Sequence, residues 1–132
     1  MITKNELKYY RSLKIKKFRE KYGVFLAEGE KTVKELLTGN KGYLSFKTLI
    51  ATEQFLKDPE ISSQDIKNIQ VSEKELQQIS TLSTPNKAIL EIELPDTTLN
   101  LKNLQKELSF FYEEIRDPGN LGTIIRTADW FG

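Results

Sequence analysis

The apolar positions change period several times along the chain, and each change marks the edge of a short helical or strand-like segment. In the opening segment Leu7, Tyr10 and Leu13 share one helical face, while Ile15, Phe18 and Tyr22 share another. With a turn of about 100° per residue the two sets point about 110° apart, so one straight helix cannot bury both. The spacing predicts a break near Leu13 to Ile15. Gly23 ends this segment, and Val24 to Ala27 reads as a short buried strand. A helix from about Gly29 to Thr38 follows, with Val33, Leu36 and Leu37 on one face and Gly39 as its stop.

Leu44, Phe46, Thr48 and Ile50 alternate as the next strand, Leu44 to Ala51. Thr52 can cap a short helix carrying Phe55 and Leu56, which Pro59 bounds before a polar loop of Ser62, Ser63, Gln64 and Asp65. Ile69 and Val71 mark another strand. Ser72 and Glu75 are then spaced as a capping box, with Val71 and Leu76 placed as its hydrophobic staple, so a helix of about two turns starts there. Ser80 to Asn86, with Pro85, interrupts the pattern. Lys87 to Leu94 alternates again, with Ala88, Leu90, Ile92 and Leu94 on one face and Ile89 on the other.

This βα alternation predicts an α/β sandwich, helices packed on a mostly parallel or mixed sheet. Pro95 and Asp96 open a polar stretch, which divides the chain into a first domain (1–95), a linker (96–107) and a second unit (108–132). Leu101, Leu104 and Leu108 suit a brief helical turn or a packed connector leading into the second unit. Phe110 to Ile115 reads as a strand, and Leu121 to Phe131 as a helix. Leu121, Ile124, Ile125, Ala128 and Phe131 form its apolar stripe, and Arg126 lies away from it beside Thr123 and Trp130.

Composition narrows the chemistry. The chain has no cysteine and no histidine, which excludes disulfides, thiolate nucleophiles, thiolate metal sites and the usual neutral-pH general base; no metal site is expected. Any chemistry must run on arginine, lysine, carboxylates or backbone. No apolar run approaches the roughly 18 residues of a membrane span, and the lysine-rich start lacks a signal-peptide core, so a cytoplasmic protein is expected.

The formal net charge of +1 hides an asymmetry. Residues 1–21 hold eight cations (Lys4, Lys8, Arg11, Lys14, Lys16, Lys17, Arg19 and Lys21) against Glu6 and Glu20, a local balance of +6. With Tyr9, Tyr10, Phe18 and Tyr22 interleaved, this segment has what a nucleic-acid surface needs: cations for phosphates and rings for unpaired bases. A solvated helix whose aromatics face the core is the other reading. Farther on, the turn Pro118-Gly119-Asn120, with Gly122 in the first helical turn, permits close backbone approach and leaves helix N–H groups free to meet an anion. The plain alternative is an ordinary N-cap at Asn120 and an exposed charge at Arg126.

Residues 117–132, Asp-Pro-Gly-Asn-Leu-Gly-Thr-Ile-Ile-Arg-Thr-Ala-Asp-Trp-Phe-Gly, resemble the first signature motif of the SpoU (TrmH-like) RNA ribose methyltransferases. Asn120, Gly122, Arg126, Ala128, Phe131 and Gly132 stand where that motif expects them. Upstream, the basic opening with Asn5, the run Phe25-Leu26-Ala27-Glu28-Gly29-Glu30 leading into Val33 and Glu35-Leu36, and Thr84-Pro85 resemble the family's N-terminal substrate-binding domain. By themselves Gly29 can relieve a tight turn and Glu28 can favour the positive end of the following helix. Glu113-Glu114 depart from the family, which often has Asp and Gly there.

The resemblance implies a three-layer sandwich similar to kink-turn-binding ribosomal proteins, followed by the first strand-helix unit of a knotted SPOUT methyltransferase domain. It implies transfer of a methyl group from S-adenosylmethionine to a ribose 2′-hydroxyl of structured RNA, ribosomal RNA foremost, by a homodimeric parent. Arg126 and Asn120 become the catalytic candidates. Lys4, Lys8, Arg11, Lys14, Lys16, Lys17, Arg19, Glu28 and Gly29 become the RNA-binding ones. Arginine keeps its proton, so Arg126 would position and polarise the hydroxyl rather than accept its proton. The family's later motifs, which build the cofactor pocket, have no counterpart before Gly132. The cofactor site is therefore expected beyond that residue, and the chain alone is expected to bind no cofactor and to be inactive. Two other classes stay open: a stand-alone RNA-binding module, and a small anion- or nucleotide-binding α/β protein, although the phosphate-loop pattern is absent.

Overall fold

A computed structural model describes residues 2–40, 42–84, 87–96, 98 and 109–131. The chain divides into two units, Met1–Asp96 and Thr97–Gly132. The expected linker lies almost wholly outside the described residues, as do Leu101, Leu104, Leu108 and Pro85.

In the first unit the opening segment is two helices, α1 (Lys4–Ser12) and α2 (Lys16–Tyr22), broken where the two apolar faces diverge. Buried Leu13 closes α1, and Ile15 enters α2 in an extended conformation. The Arg19 guanidinium clamps the break by donating to the carbonyls of Leu13 and Lys14, both at 2.9 Å. Gly23, at φ +64°, ends α2 in the left-handed region that favours glycine. Strand β1 (Val24–Glu28) then leads to α3 (Glu30–Gly39), β2 (Phe46–Ala51), α4 (Glu53–Leu56) and α5 (Pro59–Ser62). The unit closes with β3 (Lys67–Gln70), α6 (Glu73–Ile79) and β4 (Ala88–Glu93).

The four strands form a mixed sheet in the order β1-β4-β2-β3: β4 runs antiparallel to both neighbours, and β2 pairs with β3 in parallel. Alternation along the strands splits the core in two. Ile50 and Ile89 join Tyr10, Leu13, Leu76 and Ile79 under α1 and α6. Leu49, Ala51, Ala88, Leu90 and Ile92 join Val33, Leu37, Phe55 and Ile61 on the opposite face, under α3, α4 and α5. The result is the three-layer α/β sandwich expected from the sequence.

Local chemistry sets the helix starts. The capping box at Ser72 and Glu75 forms, and Val71 and Leu76 are buried beside it. The same spacing at Thr3 and Glu6 forms a second box that opens α1. Two expectations change between β2 and β3. Thr52 precedes α4, but its hydroxyl caps nothing; it is buried without a hydrogen-bond partner among the described residues. Pro59 does not lead into a loop. With Asp58 accepting from the Glu60 N–H at 3.0 Å, it occupies the first turn of α5, where a missing N–H costs nothing.

The second unit contains one described helix, α7 (Pro118–Phe131). The strand expected at Phe110 to Ile115 does not form: no described strand pairs with this stretch, and Glu114 turns it at φ +53°. A strand-like run of aromatic residues makes a strand only where a neighbour supplies the ladder hydrogen bonds.

Candidate functional site

On the first unit, α1 carries Lys4, Lys8 and Arg11 at a spacing that places them in one outward row. The side chains of these three and of Lys17 are exposed and form no hydrogen bond or ion pair with any described residue. The other cations of the segment have protein partners. Lys16 lies 3.6 Å from Glu20, Lys14 donates to the Ser80 carbonyl at 2.7 Å, and Arg19 holds the α1–α2 break. The expected RNA-binding set thus separates into a free group (Lys4, Lys8, Arg11, Lys17) and a group that also ties the fold together (Lys14, Lys16, Arg19).

The aromatics separate too. Tyr10 is core, and Tyr9 packs half-buried against it with ring centroids 5.0 Å apart. Both phenols donate to the buried Glu91 carboxylate, at 2.6 Å from Tyr9 and 3.3 Å from Tyr10. Burial, reinforced by that carboxylate, pushes the Tyr9 phenol well above its usual range. Tyr10 is pushed up to about 12, chiefly by burial, against a hydrogen bond with Thr48 that pulls the other way. Tyr22 and Phe18 remain at the surface end of this row.

Glu28 and Gly29 sit where β1 meets α3. The Glu28 carboxylate accepts from the Thr81 hydroxyl at 2.7 Å, from the Thr81 N–H at 3.1 Å and from the Ser80 hydroxyl. It therefore fixes the segment after α6 instead of facing the α3 N-terminus. Gly29 is buried at φ +107° and ψ 139°, donates its N–H to Ala88 at 3.0 Å and accepts the first α3 hydrogen bond from Val33. Because Lys14 reaches Ser80 from the other side, Lys14, Glu28 and Gly29 come together around one corner of the sheet. Lys87 adds an ion pair to Glu30, 3.1 Å apart, at the same corner.

On the second unit, α7 begins three residues earlier than the pattern suggested. Asp117 accepts from the Asn120 N–H at 2.7 Å, Pro118 has no N–H, and the Leu121 N–H reaches the Asp117 carbonyl at 3.2 Å. The free amides expected to meet an anion are thus largely satisfied by Asp117, and Asn120 lies inside the helix. Arg126 folds back along α7, 3.3 Å from the Thr123 hydroxyl. A Cβ on Gly122 would stand 3.3 Å from the Arg126 guanidinium, so glycine gives this side chain its room. Arg126 lines a shallow depression of about 310 Å³ with Thr123, Thr127, Trp130 and Phe131. Asn120 lines another, about 540 Å³, with Glu114, Arg116, Asp117 and Thr123. Thr123 is common to both, while Asn120 and Arg126 line different ones of these two depressions. Along the apolar stripe of α7, Leu121, Ile125 and Phe131 are exposed and Ile124 and Ala128 are half-buried.

Residues 4–90 match the family model of the MRM3-like substrate-binding domain. The chain belongs to this family. It is 32% identical to the Bacillus subtilis (strain 168) 23S rRNA (guanosine(2553)-2'-O)-methyltransferase RlmP, over 98% of this chain and 50% of that protein. It is 30% identical to the human mitochondrial rRNA methyltransferase 3, over 88% of this chain and 29% of that protein. The AdoMet-bound rRNA methyltransferase from Sinorhizobium meliloti superposes with a TM-score of 0.67 at 30% identity, over 98% of this chain and 49% of that one. The chain thus spans about half or less of these relatives, and the resemblance to SpoU/TrmH methyltransferases is borne out along nearly all of it.

In this MRM3-like domain, sequence reasoning passed over Glu91, which anchors Tyr9 and Tyr10. A signal was present, since Glu91 interrupts a strand whose neighbouring positions are all apolar from Ala88 to Ile92. A carboxylate there must find donors or stay in water. Ser80 and Thr81 left no such trace, because their partner Glu28 is over fifty positions away.

Proposed function

We propose that this chain is the N-terminal, RNA-binding portion of an S-adenosylmethionine-dependent RNA 2′-O-ribose methyltransferase whose substrate is ribosomal RNA. The observation that carries the reading is the extent of the similarity: it passes from the MRM3-like domain into residues 117–132, and the relatives it reaches are rRNA methyltransferases. The free cations on α1 and α2 supply a surface for phosphates. Arg126, held along α7 by Thr123 over Gly122, supplies a fixed positive charge that orients a ribose 2′-hydroxyl and stabilises the charge developing on its oxygen. Asn120 helps to shape the same region of the completed protein.

S-adenosylmethionine would supply the methyl group. The described residues do not fit it alone, because the depressions beside α7 are open and lined only by that helix and the segment leading into it. The cofactor pocket is therefore assigned to the half of the relatives that this chain does not span, and the isolated chain to RNA binding without methylation. A cytoplasmic location and a homodimeric parent belong to the same reading.

The test joins this chain to the C-terminal half of the Bacillus subtilis relative. In that chimera Arg126→Ala is expected to abolish RNA methylation while RNA affinity stays nearly unchanged. Equal loss of both would make Arg126 an RNA contact and favour a non-enzymatic RNA-binding module. Calorimetry on the 132-residue chain is expected to show no saturable S-adenosylmethionine binding; saturation would overturn the assignment of the pocket.

A further inference from the structure

The aromatic side chains of the first two helices form a row that runs from the core to the surface. Tyr10 is 3% exposed; Tyr9 meets it edge-on, and Tyr22 meets Tyr9 edge-on at 5.1 Å. Beyond Tyr22, Phe18 lies nearly parallel to it, with an interplanar angle of 17° and centroids 6.3 Å apart. Glu91 fixes the inner end through the two phenols. The outer end is open: Tyr22 is 41% exposed. The Lys21 ammonium stands 5.4 Å from the Tyr22 ring centroid. Phe18 and Tyr22 are one turn apart on α2, and so are Lys17 and Lys21, which places a row of rings beside a row of cations on the same short helix.

We propose that Phe18 and Tyr22 form a stacking site for an unpaired base of single-stranded RNA, with Lys17 and Lys21 on the adjoining phosphates. The proposal rests on the RNA-binding reading above and locates one contact within it. Burial accounts for Tyr10 and most of Tyr9; it does not account for exposed Tyr22 lying near-parallel to half-buried Phe18 among cations. Charge selects the occupant. The only acid on α2, Glu20, is paired with Lys16, so the surface around the rings is positive and suits a polyanion. A protein partner would have to bring matching carboxylates, whereas a nucleic acid brings phosphates and flat bases together. Paired bases keep their faces inside the helical stack, so rings of this kind select unpaired ones. Because the inner end is anchored, the site is in place before RNA arrives and little ordering opposes binding.

The experiment measures fluorescence anisotropy of the 132-residue chain with two labelled RNAs of equal length, a hairpin with an unpaired loop and a full duplex. Phe18→Ala is expected to weaken hairpin binding about tenfold, leaving duplex binding and the salt dependence of both unchanged. Phe18→Trp, which keeps a ring, is expected to retain hairpin affinity. Phe18→Leu, which keeps apolar bulk and packing without a ring, is expected to repeat the loss; it decides the matter if the alanine variant melts early. Lys17→Ala with Lys21→Ala is expected to weaken both RNAs and to flatten their salt dependence. Equal effects of Phe18→Leu on hairpin and duplex, or no effect on either, would overturn the stacking site and leave the RNA reading standing. Failure of the unmodified chain to bind either RNA would overturn both.

Discussion

Gly29 holds a backbone conformation, φ +107° with ψ 139°, that a side chain rarely tolerates. The space around it is not the obstacle, since an added Cβ would meet nothing closer than the Thr32 hydroxyl at 3.9 Å. Gly29→Ala is therefore expected to cost about 1–3 kcal/mol through backbone strain alone, read as a lower urea midpoint with an unchanged slope. A second residue-scale prediction concerns Tyr9 and Tyr10. Their folded-state values lie above the ordinary phenol value of 10.0, Tyr10 at about 12, so the neutral phenols are favoured by folding. The stability they contribute is complete below that ordinary value and is lost as pH rises from it through about 12. Ultraviolet titration should show a late-ionising step, and Tyr9→Phe with Tyr10→Phe should remove it. Of these residues the sequence disclosed Gly29, because glycine at a strand-to-helix turn has few explanations. It did not disclose the role of Glu91, because the two phenols that satisfy it lie more than eighty positions away.

At the scale of elements, the start of α6 was legible because its cap is local, whereas the equally local caps of Asp58 and Asp117 were passed over. Ser72 and Glu75 close their box over three residues and need nothing from the rest of the fold. Ser72→Ala is expected to destabilise the chain by about 1 kcal/mol, measured by thermal melting. Glu6 and Glu75 are both held below the ordinary carboxylate value of 4.5, first of all by the backbone N–H of the residue they cap. A depressed value means that this support is present above the ordinary value and disappears as pH falls through the folded one. Circular dichroism in acid should therefore show helix fraying in that range, and Glu6→Gln with Glu75→Gln should reduce it. The break between α1 and α2 was legible for a different reason: two apolar faces cannot both meet one core. The strand at Phe110 to Ile115 failed because strand-forming residue types say nothing about a pairing neighbour.

For the whole molecule, the proposed RNA binding depends on charge that folding leaves unpaired. Lys4, Lys8 and Arg11 have no partner among the described residues, so replacing all three with alanine is expected to lower the slope of log affinity against log salt by about two for unpaired RNA. Salt titrations of the 132-residue chain would check this, and an unchanged slope would place the RNA on another face. The sequence by itself determined the order and type of most elements, the alternation that divides the core into two layers, the break in the opening helix and the motif at 117–132. These follow from period, caps and local residue type, which are properties of neighbouring positions. Only the tertiary structure decided the strand order β1-β4-β2-β3 and which cations remain free once Lys14 and Arg19 are engaged. It alone decided that Asp117 occupies the start of α7 and that the row of rings ends at Phe18 and Tyr22. The strand order, the Lys14–Ser80 contact and the anchoring of the rings on Glu91 depend on groups far apart in the chain, and no local pattern encodes which of them will meet.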